Sequence, residues 1–196
     1  FGMKDLTASL GYKFEMVNLS KMQEKYIWDG KEYDGYGWEY IRQKGTHNVS
    51  RWLADITYDS RDSVFEPTRG ALTSLSGELA GRAAGSSKDF WRAFLSLQYF
   101  IPFFTDNQDR NWTFGIKGDA AVAKAYGRGD GKGADGEDYA DDVPYYERFH
   151  LGGVGSLRGF DFRGVSPRDQ FNNEIGGEAM TTLSAELFFP IWERLI

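Results

Sequence analysis

Apolar and polar residues exchange places at every second position through six stretches of the chain, the period of β-strands with two unlike faces. In the first, Leu6, Ala8, Leu10, Tyr12, Phe14 and Met16 alternate with Asp5, Thr7, Ser9, Gly11, Lys13 and Glu15. The second sets Trp52, Ala54, Ile56 and Tyr58 against Leu53, Asp55, Thr57 and Asp59, and the third Ala71, Thr73, Leu75 and Leu79 against Leu72, Ser74, Ser76 and Glu78. Trp91, Leu95, Leu97, Tyr99 and Ile101 mark the fourth, with Arg92, Ser96 and Gln98 between them. Trp112, Phe114, Ile116 and Val122 mark the fifth, with Lys117 and Asp119 between them. Leu183, Leu187 and Phe189 mark the sixth, with Ser184 and Glu186 between them. The pattern predicts antiparallel strands near 4–18, 49–62, 70–83, 88–103, 110–126 and 176–191, neighbours in sequence order.

These stretches are about 9–13 residues long, the length of a tilted strand that crosses a bilayer. Strands of water-soluble sheets average about 5–6 residues. The less apolar face carries both charge signs, at Lys13, Glu15, Asp55, Arg92, Lys117 and Asp119. It needs water while the other face is suited to lipid, and in lipid only a closed barrel satisfies every backbone group. An antiparallel sheet with one solvated face remains the alternative. Connection lengths favour the barrel, because outer-membrane barrels have short periplasmic turns and long outer loops. The stretches 19–48 and 127–175 are long, whereas those around Pro67–Gly70 and Phe104–Arg110 are short. The turn holding Pro67, Thr68, Arg69 and Gly70 is therefore expected at the periplasmic side.

Composition narrows the chemistry. Aromatic residues make up 16% of the 196 positions, with 24 glycines and 5 prolines, which suits aromatic girdles and tight turns. No apolar run approaches the roughly 18 residues of a membrane helix. With no cysteine and only His47 and His150, a Cys/His metal site or thiol nucleophile is hard to build. No Ser/His/Asp constellation accompanies the carboxylates, so no catalysis, metal or cofactor is expected. A net charge of −6 argues against a nucleic-acid partner. The stretch 19–48 reads as an extracellular loop, its tyrosines and tryptophans forming either an ordered cap or a carbohydrate- or protein-binding surface. The Gly/Asp-rich run 127–138 lacks EF-hand spacing, with Asp141 where a glutamate would stand, and lacks the strand-to-helix setting of a phosphate loop. The chain opens at Phe1 and ends at Ile196 within a pattern, so it reads as part of a longer barrel.

One segment is distinctive: Tyr145-Tyr146-Glu147-Arg148-Phe149-His150-Leu151-Gly152-Gly153-Val154-Gly155-Ser156-Leu157-Arg158-Gly159-Phe160, continued to Pro167-Arg168-Asp169. Together with Tyr58-Asp59-Ser60-Arg61-Asp62 and Pro67-Thr68-Arg69-Gly70, and with Ser184-Ala185-Glu186-Leu187-Phe188-Phe189-Pro190, it resembles the BamA, or bacterial surface antigen, superfamily. That superfamily includes TamA, two-partner-secretion transporters and the organellar Sam and Toc channels. The resemblance covers essentially the whole chain.

It implies an all-β transmembrane antiparallel barrel, of which this chain supplies about six strands of sixteen, corresponding to strands seven to twelve. Residues 1–196 would then form one partial barrel domain, and 127–175 would be the loop that folds into the lumen. At that loop's tip the resemblance implies that Leu157, Arg158, Gly159 and Phe160 form the motif, with Glu186 as the lumen partner of Arg158. Gly152, Gly153, Pro167, Arg168 and Asp169 would support it. Planar bidentate donors fix such a contact better than lysine could, although the pair could serve barrel stability alone. The implied function is the assembly and insertion of outer-membrane β-barrel proteins in the bacterial outer membrane. The implied partners are the lipid bilayer, unfolded clients and accessory BAM-type lipoproteins. The alternatives are a translocation or secretion transporter of the same superfamily and, more remotely, a passive porin.

Overall fold

The alternating stretches form one sheet. A computed structural model describes residues 5–20, 25–28, 30–34, 43–126, 143–168 and 172–191. Its six long strands are β1 (Leu6–Leu19), β4 (Gly45–Asp59), β5 (Gly70–Ala80), β6 (Phe90–Thr105), β7 (Asn111–Ala125) and β8 (Ala179–Phe188). They pair antiparallel in the order β1-β4-β5-β6-β7-β8. A separate hairpin, β2 (Lys25–Trp28) with β3 (Lys31–Asp34), lies between β1 and β4. Within 19–48, then, the expected plain loop holds a hairpin, and β4 begins at Gly45. No α-helix occurs among the described residues, only 3-10 turns at Arg82–Ala84 and Tyr145–Glu147.

Register keeps the two faces apart across the whole sheet. Tyr12 stands opposite Trp52, Trp52 opposite Leu79, Leu79 opposite Trp91, and Leu95 opposite both Leu75 and Ala120. Continuing, Ile116 stands opposite Ala185 and Phe114 opposite Leu187. One-residue slips would invert a strand, and the one register shift, at Pro102/Phe104, lies at the end of β6. The resulting apolar face is exposed, with Leu10 at 88% and Leu183 at 80%. So large a bare apolar surface marks contact with lipid or another apolar phase. The opposite face holds Lys13, Arg51, Asp55, Glu78, Arg92, Lys117, Asp119, Ser184 and Glu186, and the segment 143–149 packs against it. We call this the inner face.

Because neighbours alternate in direction, the connections 20–44, 81–89 and 126–178 leave one end of the sheet, and 60–69 and 106–110 leave the other. The short-turn end is the periplasmic one by the usual asymmetry. There Trp112 stacks on Phe189 at 5.4 Å and meets Phe104 edge-on at 5.9 Å, an aromatic girdle. A bulge between Pro102 and Phe104 turns Phe103 toward the same cluster.

The turn 60–69 is tied by Asp62. Its carboxylate accepts the Thr68 hydroxyl at 2.5 Å, the Thr68 amide at 2.9 Å and the Arg69 amide at 3.2 Å. Gly70 follows at φ 102°, and a Cβ there would sit 2.3 Å from the Ser60 carbonyl, so only glycine fits. The Thr68 hydroxyl, with both amides, pulls the Asp62 carboxyl down to about 2. A lowered native value stabilises the turn above the ordinary aspartate range and is lost as pH falls through the native one. The Thr68 amide resonance is therefore expected to titrate with a midpoint near pH 2. A midpoint at or above pH 4 would show that the hydroxyl contact is absent.

Candidate functional site

Charged residues at alternate positions of four adjacent strands converge on the inner face near its outer end. Glu78 stands directly opposite Arg92, and Arg51 lies two positions along from Leu53, the residue opposite Glu78. Arg51 donates to Glu78 at 2.9 Å and to Glu15 at 2.5 Å. Arg92 reaches Glu78 at 3.3 Å, and Lys13 caps Glu15 at 2.7 Å. Two arginines and a lysine thus offset Glu15, Glu78 and one further carboxylate from outside the sheet.

That carboxylate is Glu147, in the 3-10 turn Tyr145–Glu147 on the stem of the long loop. Arg51 grips it with both ends of its guanidinium, at 3.0 and 2.6 Å. Arg92 donates to the same carboxylate and, at 3.1 Å, to the Glu147 carbonyl. The Arg51 and Glu147 side chains are 3% and 8% exposed, so the pair is withdrawn from water. A planar guanidinium meeting a carboxylate at two points fixes orientation as well as distance. Burial pushes the Tyr146 phenol upward, so it stays neutral beside Glu147.

Apolar packing surrounds this charged latch. Arg92 lies 4.9 Å above the Phe94 ring, and Phe94 meets Phe149 edge-on at 5.4 Å. Val143 and Phe149 settle onto Ala121 and Ala123, whose small inward side chains leave the room. Tyr146 packs near Val49, Ala80 and Phe90. Backbone bonds of 2.8 Å in both directions pair Phe149 with Gly177, and the Tyr145 amide donates to the Gln43 side chain at 3.0 Å.

Beyond the stem the loop doubles back on itself. Leu151 pairs with Val165, and the Gly153 amide donates to the Phe160 carbonyl at 3.0 Å. Gly152 has φ 112°, and a Cβ there would lie 2.2 Å from the Asp161 carbonyl, so the crossing needs glycine. Gly153, also at positive φ, follows directly. Ser156 staples the turn through the Gly152 amide and carbonyl. Leu157 is half-buried, whereas Arg158, Gly159 and Phe160 are exposed at the tip. Arg168 holds Glu174 at 2.9 Å and the Asn172 carbonyl at 2.9 Å, and Pro167 accepts the Ile175 amide through its carbonyl. Asp169 lies outside the described residues.

The structure does not bring Arg158 and Glu186 together. Both are exposed, Glu186 standing opposite Gly115 on β8, and no ion pair or hydrogen bond joins them among the described residues. The contact that does hold the loop to the wall comes from Glu147, eleven positions earlier, with Arg51 and Arg92. Sequence reasoning singled out Arg92 but not its partners. The available signal was opposite charge at inward positions, Glu78 and Arg92, plus a glutamate inside the loop motif. A second inner-face cluster centres on Asp119, which accepts Ser96 at 2.7 Å and Thr182 at 3.2 Å, with Lys117 at 3.4 Å.

A sheet with lipid-length strands, one bare apolar face and a long loop latched to its charged inner face defines a transmembrane β-barrel wall with an inward-folded loop. The Omp85 superfamily domain matches residues 2–195, and the chain belongs to that superfamily. It is 30% identical over 167 residues to "Outer membrane protein assembly factor BamA" of Neisseria meningitidis serogroup B, covering 83% of this chain and 17% of that protein. It is 28% identical over 175 residues to the protein of the same name from Nitratidesulfovibrio vulgaris, covering 79% and 20%. It is also 27% identical over 152 residues to the human "Sorting and assembly machinery component 50 homolog", covering 77% and 28%. The chain thus spans less than a third of these relatives. The crystal structure of BamA from Haemophilus ducreyi lacking POTRA domains 1–3 superposes with a TM-score of 0.64 at 21% identity, over 97% of this chain and 35% of that one. The all-β barrel-wall architecture expected from the alternation is therefore the observed fold.

Proposed function

We propose that this chain is barrel wall and lumen loop of a protein that assembles other β-barrel proteins into the bacterial outer membrane. The observation that carries the reading is the Glu147 latch, which holds the stem of a structured loop against the inner face. A loop fixed to the inner wall disfavours a passive porin. Relatives named as assembly factors in bacteria, and as sorting and assembly machinery in animals, support the same activity. The partners are the outer-membrane bilayer, unfolded barrel clients and accessory lipoproteins. Arg158 and Glu186 form a second contact between loop and wall when further strands enclose the loop. Its exposed carboxylate, on the inner face, is free to take a bidentate guanidinium.

Depletion of the full-length protein in its own cells, with complementation by wild type or Arg158→Ala, tests the reading. Unrelated outer-membrane barrels should fall together on depletion, and Arg158→Ala should restore them only partly. Normal barrel levels with loss of one secreted protein would favour a secretion transporter and overturn it. The charge swap Arg158→Glu with Glu186→Arg should recover part of the loss. Equal defects in the single variants and the swap would separate Arg158 from Glu186.

A further inference from the structure

The turn 60–69, the end of β6 and the start of β7 form a groove of about 560 Å³ lined by Asp62, Thr68, Arg69, Phe103, Phe104 and Asn111, among others. Its volume is within the range of small-ligand sites. Arg69 immediately precedes β5 and lines the groove together with Phe103 and Phe104. Its guanidinium is exposed and has no ion-pair or hydrogen-bond partner among the described residues. Asp62 stands on the same wall with three hydrogen bonds accepted, of the roughly four a carboxylate can take. Cation and anion therefore line one groove without pairing to each other.

The surroundings are those of a membrane interface. The aromatic cluster of Phe103, Phe104, Trp112 and Phe189 closes the apolar belt at this end. Val64 and Phe65, on the adjoining turn, are 66% and 95% exposed. A phenylalanine bare to that extent is costly in water and favourable at a bilayer surface.

We propose that this groove binds the headgroup of a zwitterionic aminophospholipid of the inner leaflet. Arg69 takes the phosphodiester through its two-pronged donors, Asp62 takes the ammonium, and Phe103 and Phe104 support the upper acyl chains. A simple anionic phospholipid satisfies Arg69 but meets the Asp62 charge, so the groove prefers the zwitterion. The inference goes beyond client insertion, and lipid retention reads it out whether or not the assembly reading holds.

The test uses the full-length protein, delipidated in detergent and titrated by native mass spectrometry. The probes are phosphatidylethanolamine, phosphatidylglycerol and chain-free phosphorylethanolamine. Wild type should retain one phosphatidylethanolamine in preference to phosphatidylglycerol, and chain-free phosphorylethanolamine should not compete. Arg69→Gln should weaken both phospholipids about tenfold, the effect of losing one charge-assisted contact. Arg69→Lys should restore part of that loss. Asp62→Asn should weaken phosphatidylethanolamine, strengthen phosphatidylglycerol and so abolish the preference. Since Asp62 also ties the turn, thermal unfolding of each variant is followed in parallel. Unchanged phospholipid retention in a folded Arg69→Gln protein overturns the proposal. Equal retention of the two phospholipids by wild type, or competition by phosphorylethanolamine alone, also overturns it.

Discussion

Replacing Glu147 with alanine is expected to destabilise the barrel by about 3–5 kcal/mol, reduced by whatever lumen water reaches the site. The magnitude follows from what is left behind. Arg51 is 3% exposed and loses two hydrogen bonds, and Arg92 loses its contacts to the same carboxylate while keeping Glu78. Glu15 and Glu78 cannot move far, being fixed on β1 and β5, so two guanidiniums then share two carboxylates. Loss of the stem contact should also free the loop beyond it, since Phe149 and Val143 are seated by the same turn. The measurement is guanidinium unfolding of the full-length protein from lipid vesicles, with protease sensitivity of the loop as a second readout. Because the partners form one network, Arg51→Ala should cost less in the Glu147→Ala background than alone. A cost below about 1 kcal/mol, or strict additivity of the two changes, would remove Glu147 from its role as the latch. Glu147→Gln separates charge from shape: an amide can still accept from one arginine, so its cost should fall between wild type and alanine.

The strands were readable because lipid on one face and water on the other force a strict period of two. Every inward and outward assignment made from alternation agrees with the register, from Lys13 opposite Arg51 to Ser184 opposite Lys117. Strand ends were less legible. The alternation suggests that β4 starts near 49, whereas pairing begins at Gly45, because Thr46, His47 and Asn48 pair through backbone and carry no apolar signal. Conversely, β8 begins at Ala179 and not at 176, because Gly177 is taken up by Phe149 of the loop. The site was legible only in its parts. Glu147 and Arg51 are 96 positions apart, and nothing local in either stretch says that they meet. Arg158 drew attention through its motif, yet the structure gives the buried contact to the plainer glutamate upstream. Burial, which decides which charge is the costly one to lose, is a property of the folded sheet and not of either segment.

Arginine at Leu95 is expected to cost about 2–4 kcal/mol, the depth-dependent price of a cation at a lipid-facing position near the bilayer midplane. Leu95 sits between Leu75 and Ala120 on the outer face, about midway between Trp91 and Tyr99 along β6. All of these neighbours are apolar or aromatic, so a guanidinium there finds no carboxylate and must reach an interface or draw water inward. The same arginine at Ile101, two steps beyond Tyr99 and next to the Trp112–Phe104 girdle, should cost less because the headgroups are within reach of its side chain. Ser184→Arg provides the inner-face comparison. Ser184 is exposed on the opposite face, across from Lys117 and two positions before Glu186. Its change should stay within about 0.5 kcal/mol, as for an ordinary solvated position. The three variants, unfolded from vesicles of one lipid composition, should rank Leu95 well above Ile101 and Ile101 above Ser184. If vesicle thickness is then reduced, the Leu95 cost should shrink while the Ser184 value stays put. Equal costs at Leu95 and Ser184, or a Leu95 cost indifferent to thickness, would mean that the outer face does not meet lipid at all.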